Sequence, residues 1–191
     1  MNSVLFIRHG VTAGNLRGRY IGCTDEPLCA EGAAQIVRLR PSMPETGFLF
    51  VSPMLRTRQT AAILFPDIPP TLSDGLREMN FGVFEGKTPD ELSNEPRYTE
   101  WVNGLCLSPV PEGDSVSRFK ARCTNTFLSL MRSVPDGESA VFVTHGGVIM
   151  SVMEALALPE RSFYDYHLAC AGVLRCRYDR KAERIFPEAD T

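Results

Sequence analysis

The sequence lacks several features that would place it at once in a familiar class of protein. No apolar run approaches the roughly 20 residues of a membrane-spanning helix, and the N-terminus has no charged region followed by an apolar segment. Acidic residues number 23 and basic residues 20, so the net charge is only −3. Such a chain has no overall field for nucleic acid or anionic membrane. We therefore expect a cytoplasmic protein whose partners include neither.

Cysteine pairs at metal-binding spacing are also missing. The cysteines number six in a chain of 191 residues, and none of them forms a C-x-x-C pair or has a histidine nearby at zinc spacing. This scatter is typical of reduced thiols that fill the core or surround a site. We therefore predict no disulfide, no metal and no cofactor. The six positions are Cys23, Cys29, Cys106, Cys123, Cys170 and Cys176.

Histidine is rare, with three residues in the chain, and two of them have matching contexts. One apolar run ends in Arg8-His9-Gly10, and a later one ends in Thr144-His145-Gly146. Each run predicts a buried strand with a histidine at its carboxyl end, the edge where open α/β sheets bind ligands. Neighbouring strands lie about 4.8 Å apart, so both imidazoles could face one phosphoryl group. The alternative is that each histidine merely ends a strand. His167 lacks such a context and is interpreted as structural or a surface residue.

Strand-like and helix-like segments alternate along the chain. This alternation predicts an α/β fold, a three-layer sandwich with a mostly parallel central sheet and helices on both faces. We expect one domain over residues 1–191, with a short lid-like insertion at about 85–113. Strands are predicted up to Arg8 and at 47–51, 71–72, 140–144 and 172–178, the last at an edge. Helices are predicted at 30–39, from Ser52-Pro53 to about 64, from Ser115, and over 148–153.

Two arginines follow the second strand closely. Arg56 and Arg58 fall near the start of the predicted helix, where the helix dipole already places positive charge. They therefore suggest a bound anion, although a solvated basic turn is the alternative. Because the two positions point to different faces of a helix, we expect only one of them to enter a given pocket.

A phosphate dianion fits the cations and imidazoles assembled so far. Each charge-assisted hydrogen bond to it contributes on the order of 1.5–3 kcal/mol. Asn15 and the backbone amides of Gly10 and Gly22 are candidates for neutral donors to the same group. Glu78, a carboxyl group in a loop with apolar neighbours, is the candidate proton donor for the leaving oxygen. The alternative for Glu78 is a surface carboxylate paired with Arg77.

With these residues assembled, the chain resembles the histidine phosphatase superfamily, whose better-known branch includes the cofactor-dependent phosphoglycerate mutases. The resemblance implies a phosphorylated His9, with His145 as the second histidine and Glu78 as the acid. It also implies Arg8 and Arg56 as the motif arginines, and Asn15, Gly22 and Gly146 as phosphate-binding positions. Departures from the pattern are minor: Val11 replaces a polar residue, Cys29 a helix-capping Ser or Thr, and Phe84 a tryptophan. The matching blocks are Arg8-His9-Gly10 with Thr12 and Asn15, residues 20–28, Glu31-Gly32, residues 52–57, Arg77-Glu78, Phe81-Gly82, Glu85-Gly86 and residues 144–147.

The resemblance implies a phosphomonoesterase that hydrolyses small phosphorylated metabolites through a phosphohistidine. The pattern at 81–86 and the length most resemble the α-ribazole-phosphate phosphatase-like branch. A phosphoglycerate mutase is the alternative, although the family's mutases resemble longer chains with a larger enclosing insertion. A non-catalytic phospho-ligand binder is a further alternative, but it would need no acid beside its anion pocket. The sequence leaves open a monomer or a homodimer. The residues that either line the mouth or serve as ordinary surface or packing are Arg17, Arg19, Tyr20, Tyr98 and Trp101.

Overall fold

The computed structural model describes residues 1–104 and 106–188, whose strands form one six-stranded sheet. The spatial order is β3-β2-β4-β1-β5-β6. Neighbours among β1 to β4 run parallel, and β5 runs antiparallel to both β1 and β6. The mostly parallel sheet expected from the sequence is therefore confirmed. The strands are β1 (Asn2–Arg8), β2 (Phe48–Val51), β3 (Thr71–Leu72), β4 (Ser139–Thr144), β5 (Val173–Asp179) and β6 (Arg184–Pro187).

Helices cover both faces of the sheet, which confirms the predicted three layers. Alternate residues of β1 point to opposite sides, so Val4 and Phe6 pack with α5 and α6, whereas Leu5 and Ile7 pack with α2 and α3. No helix of the described residues is long and apolar enough to cross a membrane. The α-helices are α1 (Ala13–Leu16), α2 (Ala30–Leu39), α3 (Leu55–Leu64), α4 (Pro96–Asn103), α5 (Val116–Arg132) and α6 (Gly146–Leu156). Short 3₁₀ turns are at Arg40–Ser42, Asp74–Leu76, Gly82–Phe84 and Phe163–Tyr166.

The apolar periodicity of α5 explains how that face of the sheet is covered. Phe119, Cys123, Phe127 and Met131 recur every four residues and are all buried. The Phe127 ring lies 5.1 Å from the ring of Phe142 in β4, centroid to centroid. These four apolar residues thus form the face that the helix packs against the sheet.

One predicted position in the sheet and one predicted helix start are wrong. The segment 172–178 does form a strand, but β5 lies between β1 and β6, and the edge strand is β6. β6 is only four residues long and ends in a proline, a pattern too short to stand out in the sequence. Helix α3 starts at Leu55, with Met54 rather than Ser52 at its N-cap position. The Leu55 N–H instead donates to the carboxylate of Asp25 at 2.6 Å.

Other local expectations hold with small shifts. Helix α6 starts directly after His145, two residues before the run that indicated it in the sequence. Cys29 occupies the N-cap of α2, where its sulfur accepts a hydrogen bond from the Gly32 N–H at 3.4 Å. The loop at 10–27 also contains the short helix α1, which Thr12 caps through its side chain.

The 85–113 segment is held against residues 19–20 by an aromatic cluster. The Tyr20 and Tyr98 hydroxyls lie 2.8 Å apart, and Trp101 is only 5 % exposed. The Trp101 indole N–H donates to the Ser108 carbonyl at 3.2 Å, so this ring is part of the packing. Arg19 donates to the Gly86 carbonyl and forms an ion pair with a carboxylate of the segment. These residues, expected either to line the mouth or to pack, therefore fasten the segment to the body of the protein. The rings in contact are Tyr20, Phe81, Phe84, Tyr98 and Trp101.

Candidate active site

The two histidines meet at the carboxyl edge of the sheet. His9 directly follows β1 and His145 directly follows β4, and these strands are parallel neighbours with Arg8 opposite Thr144. The His9 N–H donates to the Thr144 carbonyl at 3.0 Å, which extends this pairing by one residue. The two imidazole centroids lie 5.2 Å apart, with their planes at 62°. The structure thus brings together the two rings that the sequence placed at the ends of separate strands.

One hydrogen bond fixes the tautomer of His9. Its Nδ1 lies 2.7 Å from the carbonyl oxygen of Gly10, and a carbonyl can only accept, so Nδ1 carries the proton. The Nε2 atom therefore holds an available lone pair. Burial lowers the pKa of His9 to about 3, and the positive charges of Arg56 and Arg8 act in the same direction. At neutral pH the ring is uncharged and can act as a nucleophile through Nε2.

His145 is fully buried, and Ser52 is its hydrogen-bond partner. Its Nε2 lies 2.8 Å from the Ser52 hydroxyl, while its Nδ1 finds no partner among the described residues. Burial lowers the pKa of His145 well below its ordinary value, and the charge of Arg56 adds to this effect. The neutral ring has one N–H, so a Ser52 hydroxyl that donates to Nε2 leaves that N–H on Nδ1.

Sequence reasoning treated Ser52 only as a helix cap. It directly follows β2, and β2 is the other parallel neighbour of β4, so its side chain meets His145 across the strand ends. The useful signal was its position directly after a buried strand, the same context that identified the histidines.

Arg56 enters the site, whereas Arg58 faces solvent. Its side chain is fully buried, and its two terminal nitrogens donate at 2.8 Å to the carbonyls of Thr24 and Gly22. The remaining Nε–H has no acceptor in the described part of the chain. Burial lowers the pKa of Arg56, but a guanidinium stays protonated in proteins. The two arginines thus point to different surroundings, one buried and one exposed, as their spacing predicted, and binding of an anion by Arg56 stays a prediction.

Arg8 directly precedes His9, and its charge acts on both imidazoles. One terminal nitrogen donates to the Leu168 carbonyl at 2.6 Å, and its buried Nε–H lacks an acceptor among the described residues. A Cβ added to Gly146 would lie 3.4 Å from the guanidinium carbon, so the start of α6 packs against this cation. His167 is exposed, in agreement with the interpretation as a surface residue. Its Nε2 lies 3.5 Å from a terminal nitrogen of Arg8, at the rim of the site.

The Glu78 carboxylate lies at the N-terminus of α6. Its Oε2 accepts from the Gly147 N–H and its Oε1 from the Met79 N–H, both at 3.0 Å. The positive end of a helix dipole stabilises a carboxylate at this position. Because α6 starts directly after His145, the carboxyl group lies at the same end of the sheet as the imidazoles. Arg77 pairs with Asp74 at 2.7 Å and not with Glu78, which removes the alternative reading.

The neutral donors differ from expectation. The Gly10 N–H donates to the Thr60 hydroxyl at 3.1 Å, and the Gly22 N–H donates to the Glu85 carboxylate at 3.0 Å. Both amides are therefore engaged within the protein, and Gly22 contributes to the site through the carbonyl that holds Arg56. These acceptors are remote in sequence, so a local motif could not reveal them. The Asn15 side-chain oxygen accepts from the Thr12 N–H at 3.2 Å, which leaves its amide group as the donor.

Within residues 1–104 and 106–188, no three His, Cys, Asp or Glu side chains are grouped so as to hold a metal ion. The six cysteines are free thiols.

A family model for the histidine phosphatase superfamily, branch 1, matches residues 4–187. The chain belongs to this superfamily. The match spans both histidine strands, both arginines and Glu78, the residues that meet at the sheet edge. The fold and the superfamily inferred from the sequence motifs are therefore confirmed.

Proteins similar to this chain carry the names of two different enzymes, a phosphoglycerate mutase and an α-ribazole phosphatase. A Shigella boydii protein named "probable phosphoglycerate mutase GpmB" is 34 % identical, with 93 % of this chain and 86 % of that protein covered. A phosphoglycerate mutase structure from Thermus thermophilus is 31 % identical, covers 99 % of both chains and has a TM-score of 0.73. The α-ribazole phosphatase structure from Shigella flexneri has a TM-score of 0.86, covering 97 % of this chain and 94 % of its own. At 21 % identity, that likeness shows the fold alone.

Proposed function

We propose that this protein is a phosphomonoesterase that hydrolyses small phosphorylated metabolites through a phosphohistidine at His9. The observation that carries the proposal is the protonated Nδ1 of His9, bonded to the Gly10 carbonyl, which leaves Nε2 as an uncharged nucleophile. The low pKa of the ring, about 3, keeps that nitrogen free of a proton throughout the neutral range. Arg8 and Arg56, whose buried Nε–H groups have no acceptor in the described ranges, act on the ring through their charge and supply charge for a phosphoryl group.

In the first step, Nε2 of His9 attacks phosphorus in line with the ester oxygen. The P–N bond forms as the P–O bond to the leaving group breaks, and Glu78 donates a proton to the departing oxygen. Arg8, Arg56 and the Nδ1–H of His145 stabilise the charge on the equatorial oxygens. One such preorganised donor is typically worth about 10²–10³ in rate, and general acid catalysis adds roughly 10²–10⁴.

In the second step, water attacks the phosphohistidine from the side that the leaving group vacated. Glu78, now a carboxylate, takes a proton from the water as the P–O bond forms and the P–N bond breaks. Inorganic phosphate leaves, and His9 returns to its neutral tautomer. The Gly147 and Met79 amides hold the Glu78 carboxylate in place for this second role.

The phosphohistidine is tested by rapid acid-free quenching with a ³²P-labelled phosphomonoester. We expect label that alkali spares and acid removes, and we expect His9→Ala to abolish it and to lower turnover at least about 10³-fold. His167→Gln, which removes the third histidine, should retain the label. Robust turnover without label, or label that survives His9→Ala, would overturn the proposal.

α-Ribazole phosphate is the specific substrate that we propose, on the motif at 81–86 and on a fold likeness to an α-ribazole phosphatase. A panel of phosphomonoesters that includes it tests this choice. Highest kcat/KM on another ester would reject the choice of substrate while leaving the hydrolytic chemistry intact.

Phosphoglycerate mutase activity is a second candidate, favoured by the names of relatives at 31–34 % identity. Chain length does not separate the two functions, because 86 % of the Shigella boydii protein is already covered. An assay with 3-phosphoglycerate that measures both free phosphate and 2-phosphoglycerate decides between the phosphatase and the mutase. Predominant phosphate supports the phosphatase, and predominant isomer supports the mutase. A wild-type protein inactive on every ester, yet able to bind phosphate, would instead be a binder.

A further inference from the structure

The Glu85 carboxylate fastens a short loop next to the candidate site. Its Oε1 accepts hydrogen bonds from the Cys23 N–H at 2.8 Å, the Gly22 N–H at 3.0 Å and the Phe81 N–H at 3.1 Å. Its Oε2 accepts from the Thr24 hydroxyl at 2.8 Å. Three consecutive residues, 22–24, are therefore tied to one side chain.

The same loop holds Arg56. Carbonyl oxygens of Gly22 and Thr24 accept from the two terminal nitrogens of the guanidinium, each at 2.8 Å. The loop thus uses its N–H and O–H donors toward Glu85 and its carbonyls toward Arg56. Any rotation of these peptides would break both sets of bonds and turn the guanidinium.

The donors of this loop also stabilise the charge of the Glu85 carboxylate. Among the described residues, no Lys, Arg or His nitrogen lies within salt-bridge distance of its carboxylate, so backbone and hydroxyl dipoles are its direct partners. Gly22 permits the close approach. A Cβ there would lie 2.5 Å from Glu85 Oε1 and 1.8 Å from the Met79 carbonyl oxygen.

We propose that Glu85 is a positioning residue that orients Arg56 through residues 22–24 and so sets the affinity of the site for a phosphoryl group. Misplacing one catalytic group by about 1 Å can cost on the order of 10²-fold in rate. The turnover part of this inference depends on the proposed function. Binding of inorganic phosphate and the state of Arg56 itself do not.

Three variants at the loop test the proposal, with inorganic phosphate titrated calorimetrically and p-nitrophenyl phosphate as substrate. Glu85→Ala should weaken phosphate binding and lower kcat/KM by roughly tenfold to a hundredfold. Glu85→Gln should recover most of the loss, because its oxygen can accept the three amides and the Thr24 hydroxyl can accept from its amide group. Thr24→Val, at an exposed position, should cause a smaller loss of the same kind.

A matched control separates this effect from general removal of charge. Glu91 lies in the same segment and accepts from the Thr88 N–H and Arg19, but it has no bond to residues 22–24. Glu91→Ala should therefore keep phosphate affinity and kcat/KM within about threefold of wild type.

Coupling to Arg56 is the deciding measurement. In an Arg56→Ala background, Glu85→Ala should cost less than about threefold, because its effect acts through the missing guanidinium. The Arg56 Nε–H resonance, identified by its loss in Arg56→Ala, should shift in Glu85→Ala and in Thr24→Val. Independent, multiplying losses or an unmoved resonance would overturn the proposal. A wild type without turnover would reject the proposed function, and the resonance would still decide the role of Glu85.

Discussion

The imidazoles of His9 and His145 are buried next to each other and near two arginines, and both effects favour the neutral rings. Removing a charged ring from water is costly, and the nearby cations of Arg8 and Arg56 oppose a further positive charge. His9 and His145 are buried in this way, whereas His167 is exposed at the rim. The surroundings of each ring, and not its residue type, thus decide which histidine can act as a nucleophile.

The Ser52 hydroxyl should set the tautomer of His145. Ser52→Ala removes the hydrogen bond to Nε2, so the single proton of the neutral ring can move to Nε2 and away from the anion pocket. We expect kcat/KM to fall about tenfold, the equivalent of one ordinary hydrogen bond, with little change in the midpoint of thermal unfolding. Steady-state kinetics and ¹⁵N spectra of the ring nitrogens would measure both effects.

Ser151→Ala provides the control for losing a buried hydroxyl. Ser151 is buried and donates to the Gly147 carbonyl, and among the described residues it has no hydrogen bond to either imidazole. Equal kinetic losses in the two variants would contradict a specific role for Ser52.

Helix α6 organises the site at the scale of an element. Its first turn follows His145 directly, packs against Arg8 through Gly146, and binds the Glu78 carboxylate through the Gly147 N–H. Strand β4 therefore positions the imidazole, and the first turn of the helix that follows it holds Glu78, the proposed acid, which the loop after Leu76 supplies. Their relative placement depends on Gly147, which leaves room for the Glu78 carboxylate.

Gly147→Ala should displace the acid while leaving the helix intact. A Cβ at this position would lie 2.4 Å from Glu78 Oε1, although alanine favours helix more than glycine does. We expect kcat to fall roughly tenfold to a hundredfold on alkyl phosphates, which need a protonated leaving group, and much less on p-nitrophenyl phosphate. Gly47→Ala, with no atom within 4 Å of the added Cβ, is the control. Equal losses on both ester types would argue against displacement of an acid.

Trp101 should stabilise the 85–113 segment on the body of the protein. Trp101→Ala removes a buried ring that contacts Tyr20, Phe84 and Tyr98, and such truncations cost roughly 3–5 kcal/mol. We expect amide hydrogen exchange in α4 to accelerate more than exchange in β4. Val102→Ala, at a side chain that is 41 % exposed, should leave both rates near wild type. Unchanged protection of α4 in Trp101→Ala would refute this role.

At the scale of the whole molecule, the buried neutral histidines should link stability to pH. An unfolded histidine binds a proton near pH 6.5, whereas folded His9 binds one only near pH 3. Between these values the unfolded state holds more protons, so the free energy of unfolding falls as the pH falls. Each such histidine contributes up to about 1.4 kcal/mol per pH unit. Above the upper value neither state binds the proton, so the histidine no longer lowers the free energy of unfolding.

Denaturant unfolding of wild type and His9→Gln, from about pH 7 down to about pH 4.5, measures this link. The variant should lose stability less steeply, by close to one proton, and subtracting the two curves removes the contribution of the carboxylates. Parallel curves would show that His9 is not buried neutral in the folded protein.

Local signals in the sequence were sufficient for the parts of the site that lie at strand ends. Arg8, His9 and His145 are each adjacent to an apolar run, and the parallel arrangement of those runs follows from the alternation of strands and helices. Ser52 and Glu85 were not recognised, because their partners are 93 and about 60 residues away in the chain. Likewise, β6 was missed because its pairing with β5, and not its own pattern, makes it a strand. These three features depend on packing between distant segments for which the local sequence carries no signal.

The order of the strands in the sheet has a consequence for folding during synthesis. β1 is synthesised first, yet its parallel neighbour is β4, which is inserted between β1 and β2 after more than half of the chain has been made. A nascent or prematurely terminated chain that stops before Ser139 has no central strand and no second histidine. The pair of neighbouring imidazoles therefore forms only after β4 and His145 have been made, and shorter products of translation lack the second ring of the proposed site.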